Sequence, residues 1–325
     1  MHKPHAIDVG HGITTVDAEY VRQGLAAAHL VVRDGRAAFI DTGIPNAVPL
    51  MLAAMAERGV APGQVDYVMV THVHLDHAGG AGGLMQALPN AKLVVHPSGA
   101  RHMIDPTRLV ESTRAVYGEK AFLRLYGEVL PIDAARVIET DDGMSLPFGD
   151  GRLSILHTPG HARHHYCVHD PRVKGIFTGD TFGISYREFD SANGPFVFTT
   201  TTPTQFEPEA LHDSIERLMA LDPEHAYLTH FGRVDDLRRL ANDLHADIDH
   251  FVAIARRHRD AGTSRKEAIE NELLDYLTER ALAHGAGMPE AEARELLAMD
   301  ADLDAQGLDV WLTREERAAA EQRGA

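Results

Sequence analysis

The hydrophobic and polar positions change their period along the chain. Between residues 27 and 70, short apolar runs alternate with a helical pattern. Ala28-His29-Leu30-Val31-Val32 and Ala37-Ala38-Phe39-Ile40 flank Asp34-Gly35, a pair suited to a two-residue hairpin turn. After Asp41-Thr42-Gly43, Val48, Leu52, Met55 and Ala56 recur at helical spacing as far as Gly59, which predicts a helix with one apolar face. Tyr67-Val68-Met69-Val70 is an unbroken apolar run and reads as a buried strand. Lys92-Leu93-Val94-Val95, Arg136-Val137-Ile138, Leu153-Ser154-Ile155-Leu156, Tyr166-Cys167-Val168 and Gly175-Ile176-Phe177 repeat the strand signal. Residues 98–131 are less regular and lean helical, with Leu109, Leu123, Leu125, Tyr126 and Leu130 available to pack. Two groups of strands separated by helical segments predict two mixed sheets with helices outside.

From residue 233 the 3.6-residue period takes over. Leu237, Leu240, Leu244, Ile248, Phe251, Val252 and Ala255 mark one long amphipathic helix. Ser264 with Glu267 is a capping-box pattern ahead of Ile269, Leu273, Leu277 and Ala281. Pro289 stands at a further helix start before Ala293, Leu296 and Leu297. The chain therefore divides into a sheet-rich part, 1–232, and an α-helical extension, 233–325. Trp311 with Leu308, Val310 and Leu312 gives the tail an apolar spot, which folds back on the core or forms a homodimer through the C-terminal helices.

Hydrophobic residues make up 44% of the 325 and charged residues 24%, ordinary globular usage that excludes wholesale disorder. Lys+Arg total 31 against 48 Asp+Glu, a net charge of −17. That balance, without a Lys/Arg stripe, disfavours a nucleic-acid partner and leaves a small-molecule substrate. No run reaches the roughly 18 apolar residues of a membrane helix. The N-terminal stretch Met1-His2-Lys3-Pro4-His5-Ala6-Ile7-Asp8 carries no apolar signal region. The expectation is a cytoplasmic protein with no membrane partner. There are 21 histidines and one cysteine. A disulfide framework is excluded, and imidazole and carboxylate must hold any transition metal. Cys167 reads as a small buried hydrophobe.

Thr71-His72-Val73-His74-Leu75-Asp76-His77 packs three imidazoles and a carboxylate into six residues after a strand, where α/β architectures place their sites. In an extended segment His72 and His74 share a side, and Asp76 and His77 can reach an adjacent point. Gly79-Gly80 follows at once and permits a tight turn. These donors suit zinc, iron and related ions.

The run His72-x-His74-x-Asp76-His77 resembles the signature of the metallo-β-lactamase-fold hydrolases. Asp41-Thr42-Gly43, Thr158-Pro159-Gly160-His161, Phe177-Thr178-Gly179-Asp180 and Thr229-His230-Phe231-Gly232 resemble that family's remaining motifs, in order, across residues 1–232. The last 93 residues carry no comparable motif. The resemblance implies a four-layer αβ/βα sandwich of two mixed sheets. It places His72, His74 and His161 on one metal and Asp76, His77 and His230 on a second, with Asp180 bridging. This is an all-N/O donor set suited to two divalent ions, zinc first, with iron or manganese as alternatives. Asp41 is expected to hold a ligand histidine by hydrogen bond.

The bridging Asp180 resembles glyoxalase II-like thioesterases, lactonases and phosphodiesterases rather than true β-lactamases. The resemblance therefore implies a dinuclear hydrolase of a small ester, thioester or lactone, in which hydroxide between two metals attacks and Asp76 and Asp180 are the catalytic carboxylates. The alternatives in the same fold are a mononuclear iron persulfide dioxygenase-like oxidoreductase and a phosphodiesterase or nuclease. His165, in the unusual run Ala162-Arg163-His164-His165, is a candidate to line the pocket or support a ligand, and Tyr186 and Arg187 to orient substrate. The long connector 98–131 has the length of a lid or pocket wall.

Overall fold

Asp34 and Gly35 both take positive φ, 50° and 72°, and turn β3 (Ala27–Arg33) back onto β4 (Arg36–Ile40) as the sequence predicts. Around this hairpin the first sheet is laid out in chain order. It adds β1 (Ala6–Asp8) and β2 (Ile13–Asp17) on one side, and β5 (Val65–Met69), β6 (Lys92–Val95) and β7 (Val137–Glu139) on the other. Pairing is antiparallel up to β4 and parallel from β4 to β7. Crossovers hold α1 (Val48–Glu57), α2 (Leu75–Ala78) and α3 (Ala81–Ala87), then α4 (Pro97–Ile104), α5 (Thr107–Tyr117) and α6 (Glu119–Leu125). The second sheet runs β13-β12-β11-β10-β9-β8. Its strands are β8 (Ser145–Phe148), β9 (Gly151–His157), β10 (Tyr166–Asp170), β11 (Gly175–Gly179), β12 (His225–Leu228) and β13 (Gly232–Val234). Only β11 and β12 pair in parallel.

This computed structural model describes residues 5–201 and 203–324; the N-terminal positions 1–4 read above lie outside them. The chain forms two compact units. The first comprises Met1–His157, His164–Gly179 and Asp222–Asp235, and the second Thr158–Arg163, Asp180–Leu221 and Asp236–Ala325. The units thus interleave along the sequence, and segments 158–163 and 180–221 group with the long C-terminal helices.

In the first unit, Val31, Ile40 and Met69 from one sheet and Leu153, Tyr166 and Phe177 from the other form a single apolar cluster. Each such side chain contributes about 1.5–3 kcal/mol on burial. In the 98–131 stretch, Leu123 is 55% exposed and does not pack; its neighbour Phe122 is buried instead, with the Arg114 guanidinium over its ring.

The second unit holds α7 (Pro208–Met219), α8 (Leu237–Arg257), α9 (Arg265–Ala283) and α10 (Glu290–Gly324). Leu240, Leu244, Ile248 and Phe251 of α8, and Ile269, Leu273 and Leu277 of α9, are buried at the predicted spacing. The capping box does not form. Ser264 closes a 3-10 turn at φ −92°, ψ 2° and its side chain caps nothing, because an N-cap needs an extended backbone. Trp311 is buried, edge-on to Phe206 and under the Arg256 guanidinium. No helix among the described residues is long and apolar enough to cross a membrane.

Candidate metal centre

Asp41 leaves the end of β4 with a left-handed backbone, φ 58°, and a fully buried carboxylate. A non-glycine residue in that region costs of order 1 kcal/mol and persists only where surroundings enforce it. Here they do. Asp41 Oδ1 accepts from the Thr71 amide at 2.8 Å, and the Thr71 hydroxyl lies 3.0 Å from both carboxylate oxygens. Oδ2 accepts from the Thr229 hydroxyl at 2.6 Å and from His77 Nδ1 at 3.0 Å. One carboxylate thereby ties together the ends of β4, β5 and β12.

The tie fixes ring tautomers. A carboxylate only accepts, so His77 Nδ1 carries the proton and Nε2 presents a lone pair. His230 follows β12, and its Nδ1 donates to the Leu25 carbonyl at 2.7 Å, so its Nε2 is a lone pair as well. These two Nε2 atoms face each other at 3.3 Å. Asp76 Oδ2 completes the group, 3.4 Å from His230 Nε2 and 3.7 Å from His77 Nε2. Ligands bound tetrahedrally at about 2.0–2.2 Å stand about 3.3–3.6 Å apart. The three donors therefore have the mutual spacing of atoms sharing one ion, and Asp76, His77 and His230 fit a divalent metal.

His72 is oriented in the same manner. The Thr71 hydroxyl donates to Asp41 and accepts from His72 Nδ1 at 3.2 Å. His72 Nε2 then faces His74 Nδ1 at 2.7 Å. His72 and His77 are fully buried, whereas Asp76 keeps 20% side-chain exposure, so the donor group opens on the Asp76 side.

In the second unit, His161 Nε2 and Asp180 Oδ2 lie 3.2 Å apart, both nearly buried. The loop carrying His161 is pinned to α7. Gly160 takes φ 131°, and a Cβ there would stand 2.4 Å from the Leu211 Cα, so only glycine fits. The Ser214 hydroxyl donates to the Pro159 carbonyl at 2.6 Å. Arg163 pairs with Glu207 on the far side of the loop.

The profile of the metallo-beta-lactamase superfamily matches residues 21–230. The chain belongs to this superfamily. Among its relatives is the metallo-beta-lactamase fold-containing protein ST1585 of Sulfurisphaera tokodaii, 28% identical over 214 residues, 65% of this chain and 74% of that protein. The solved structure of ST1585 from Sulfolobus tokodaii superposes with a TM-score of 0.58 at 25% identity, covering 75% of this chain and 87% of that one. Hydroxyacylglutathione hydrolase of Xanthomonas euvesicatoria is 30% identical over 242 residues, 74% of this chain and 72% of its own. The acyl-coenzyme A thioesterase MBLAC2 of Gallus gallus is 28% identical over 190 residues, 55% of this chain and 64% of its own.

The remaining candidates of this superfamily member fall into distinct places. His165 is fully buried, stacked on His72 with centroids 5.0 Å apart. A Cβ at Gly179 would stand 2.5 Å from His165 Nε2, so Gly179 leaves room for the imidazole. Tyr186 is buried and donates to Asp300 on α10 at 2.9 Å, and Arg187 reaches Asp190 at 3.4 Å. In the sequence Thr71 and Thr229 stand only as motif positions with no role of their own, and nothing there marks the Leu25 carbonyl. The detectable signal was a threonine directly before a ligand-type histidine in two separate motifs.

Proposed function

We propose that this metallo-β-lactamase superfamily member is a metal-dependent hydrolase of a small-molecule acyl thioester. In this reading His72, His74 and His161 hold one divalent ion, Asp76, His77 and His230 hold a second, and Asp180 bridges, with zinc the first choice of metal. When bound, such ions bring the pKa of a water near 7 and polarise an acyl carbonyl. Asp41, Thr71, Thr229 and the Leu25 carbonyl keep the imidazole tautomers that such ions require. Asp76, on the open side of its donor group, is placed to pass a proton to the leaving group. A thiol leaving group, with an ordinary pKa of about 8.5, needs little of that help.

The observation that carries the reading is the pair of tautomer-locked Nε2 atoms 3.3 Å apart beside Asp76. The thioester class is supported by two relatives, one named a hydroxyacylglutathione hydrolase and one an acyl-coenzyme A thioesterase. The net charge of −17 favours a small molecule over a polyanion. The test is parallel assay of the metal-loaded protein on an acyl-glutathione, an acyl-coenzyme A, a lactone and a phosphodiester. The expected result is fastest turnover of a thioester. Faster phosphodiester cleavage overturns the assignment, as does a single iron per chain with thiol-dependent oxygen uptake.

A further inference from the structure

Helix α10 carries Asp300 and Asp304 four positions apart, on one helix face, and the second unit buries both. The Tyr186 hydroxyl donates to Asp300, 2.9 Å from Oδ1 and 3.0 Å from Oδ2. Asp304 meets the 199–201 segment instead. Its Oδ1 accepts from the Thr201 amide at 2.6 Å and from the Thr200 hydroxyl at 3.2 Å, and its own carbonyl accepts from the Thr201 hydroxyl at 3.1 Å. Among the described residues Asp304 Oδ2 is buried without a hydrogen-bond partner. The cations that α8 and α9 turn toward α10 are taken by other carboxylates: Arg256 by Glu315, Arg265 by Asp309 and Glu316, and Lys266 by Asp302. From the 203–207 stretch, Glu207 faces Arg314.

We propose that a proton held on the Asp304 carboxyl fastens α10 to the 199–201 segment, a latch that loosens as the pH rises. A buried charge without a counter-charge is costly, so burial favours the neutral acid. The hydrogen bonds divide the roles of the pair. Asp300 accepts from a phenol on both oxygens, as a carboxylate does, whereas Asp304 accepts on Oδ1 and leaves Oδ2 to carry the proton. Burial pushes the Asp304 carboxyl well above the ordinary range and the Asp300 charge adds to this, against the opposing pull of the Thr201 and Thr200 hydrogen bonds. Such an acid binds its proton more tightly in the closed state than in the open one. Opening therefore releases a proton, and it is favoured by up to about tenfold for each pH unit between the ordinary carboxylate value and the raised one. The fastening extends along the chain. Phe198 and Ile184 exchange backbone hydrogen bonds at 2.9 and 3.0 Å, which ties the latched segment to the stretch that starts at Asp180.

The test is hydrogen–deuterium exchange of the full chain between pH 6 and pH 9, each rate divided by the intrinsic rate at that pH, on wild type, Asp304→Asn and Asp300→Asn. In wild type, peptides from 196–201 and 298–308 are expected to open at least about tenfold more at pH 9 than at pH 6. Asp304→Asn cannot ionise and keeps an acceptor for the Thr201 amide, so its change should stay below about threefold. In Asp300→Asn the rise should level off at a lower pH, because a neighbouring charge no longer helps to hold the proton. A smaller rise in wild type overturns the proposal, as does a larger one in Asp304→Asn. Peptides around Asp247 on α8, whose own carboxyl burial pushes up to about 6, are the internal reference; an equal rise there means that the whole unit opens and also overturns it. Should Asp304→Asn fail to fold, coincident profiles of wild type and Asp300→Asn exclude a proton on Asp304.

Discussion

Asp41 accepts hydrogen bonds from two threonine hydroxyls, a backbone amide and an imidazole, and everything asked of His77 depends on it. Asparagine at this position keeps the size but replaces one acceptor oxygen with a donor. Asp41→Asn is predicted to weaken metal retention by about 10–100-fold, read by competition with a chromogenic chelator; unchanged affinity would show that the tautomer lock has no role. His74→Ala should lower metal occupancy and abolish hydrolysis with little loss of fold, so full activity at matched metal content would discard the ligand assignment. A different residue governs acid stability. His29 is fully buried between Thr15 and the Leu228 carbonyl, and burial pushes its pKa down to about 4. Its ordinary value is about 6.5, so the unfolded chain binds the proton first. Stability is then complete above pH 6.5 and declines as the pH falls toward 4, by up to about 3 kcal/mol from this group. Urea unfolding of His29→Gln across that range should show a correspondingly flatter pH dependence.

At the scale of elements, α7 is the part that most directly sets a candidate ligand. Its Ser214 holds the carbonyl of Pro159 and its Leu211 closes on Gly160. Ser214→Ala removes that hydrogen bond, at a predicted cost of about 0.5–1.5 kcal/mol, with faster metal loss than from wild type; equal off-rates would detach α7 from the His161 loop. α7 is absent from the elements expected from the sequence, although Pro208 at its start and Leu211, Ile215 and Leu218 at helical spacing mark it. β12 is absent too, because its four residues His225–Leu228 are too short to show a period. The Asp34-Gly35 hairpin was legible because a turn is decided by its own dihedrals. The Ser264–Glu267 cap was misread because the preceding 3-10 turn sets the backbone of Ser264. The donors His72 to His77 were legible because they are contiguous. The roles of Thr71 and Thr229 were not, because Thr229 meets Asp41 only when strand ends 188 positions apart in sequence converge.

At the scale of the whole molecule, the superfamily fold accounts for residues 21–230, and the C-terminal helices organise their own unit. Within that unit Asp247 accepts from the Thr199 amide, the Tyr276 hydroxyl and Arg280, while Arg280 also reaches the Val197 carbonyl. This network fastens the 197–199 segment to α8 and α9. Arg280→Met should therefore cost about 3–5 kcal/mol by stranding a buried carboxylate, measurable as a lower unfolding midpoint. Metal stripping removes the ions proposed for His72, His74, His161 and Asp180 and for Asp76, His77 and His230. It is expected to lower the melting temperature, because an ion held at a hundred times its Kd contributes about 2.7 kcal/mol. If these imidazoles and carboxylates hydrolyse through bound metal, metal content and acyl-thioester hydrolysis move together in protein as purified, after chelation and after zinc is restored. The expected result is two ions per chain, loss of activity as they leave, and recovery as they return. Thioester hydrolysis that persists in metal-free protein rules out a metal-dependent reaction.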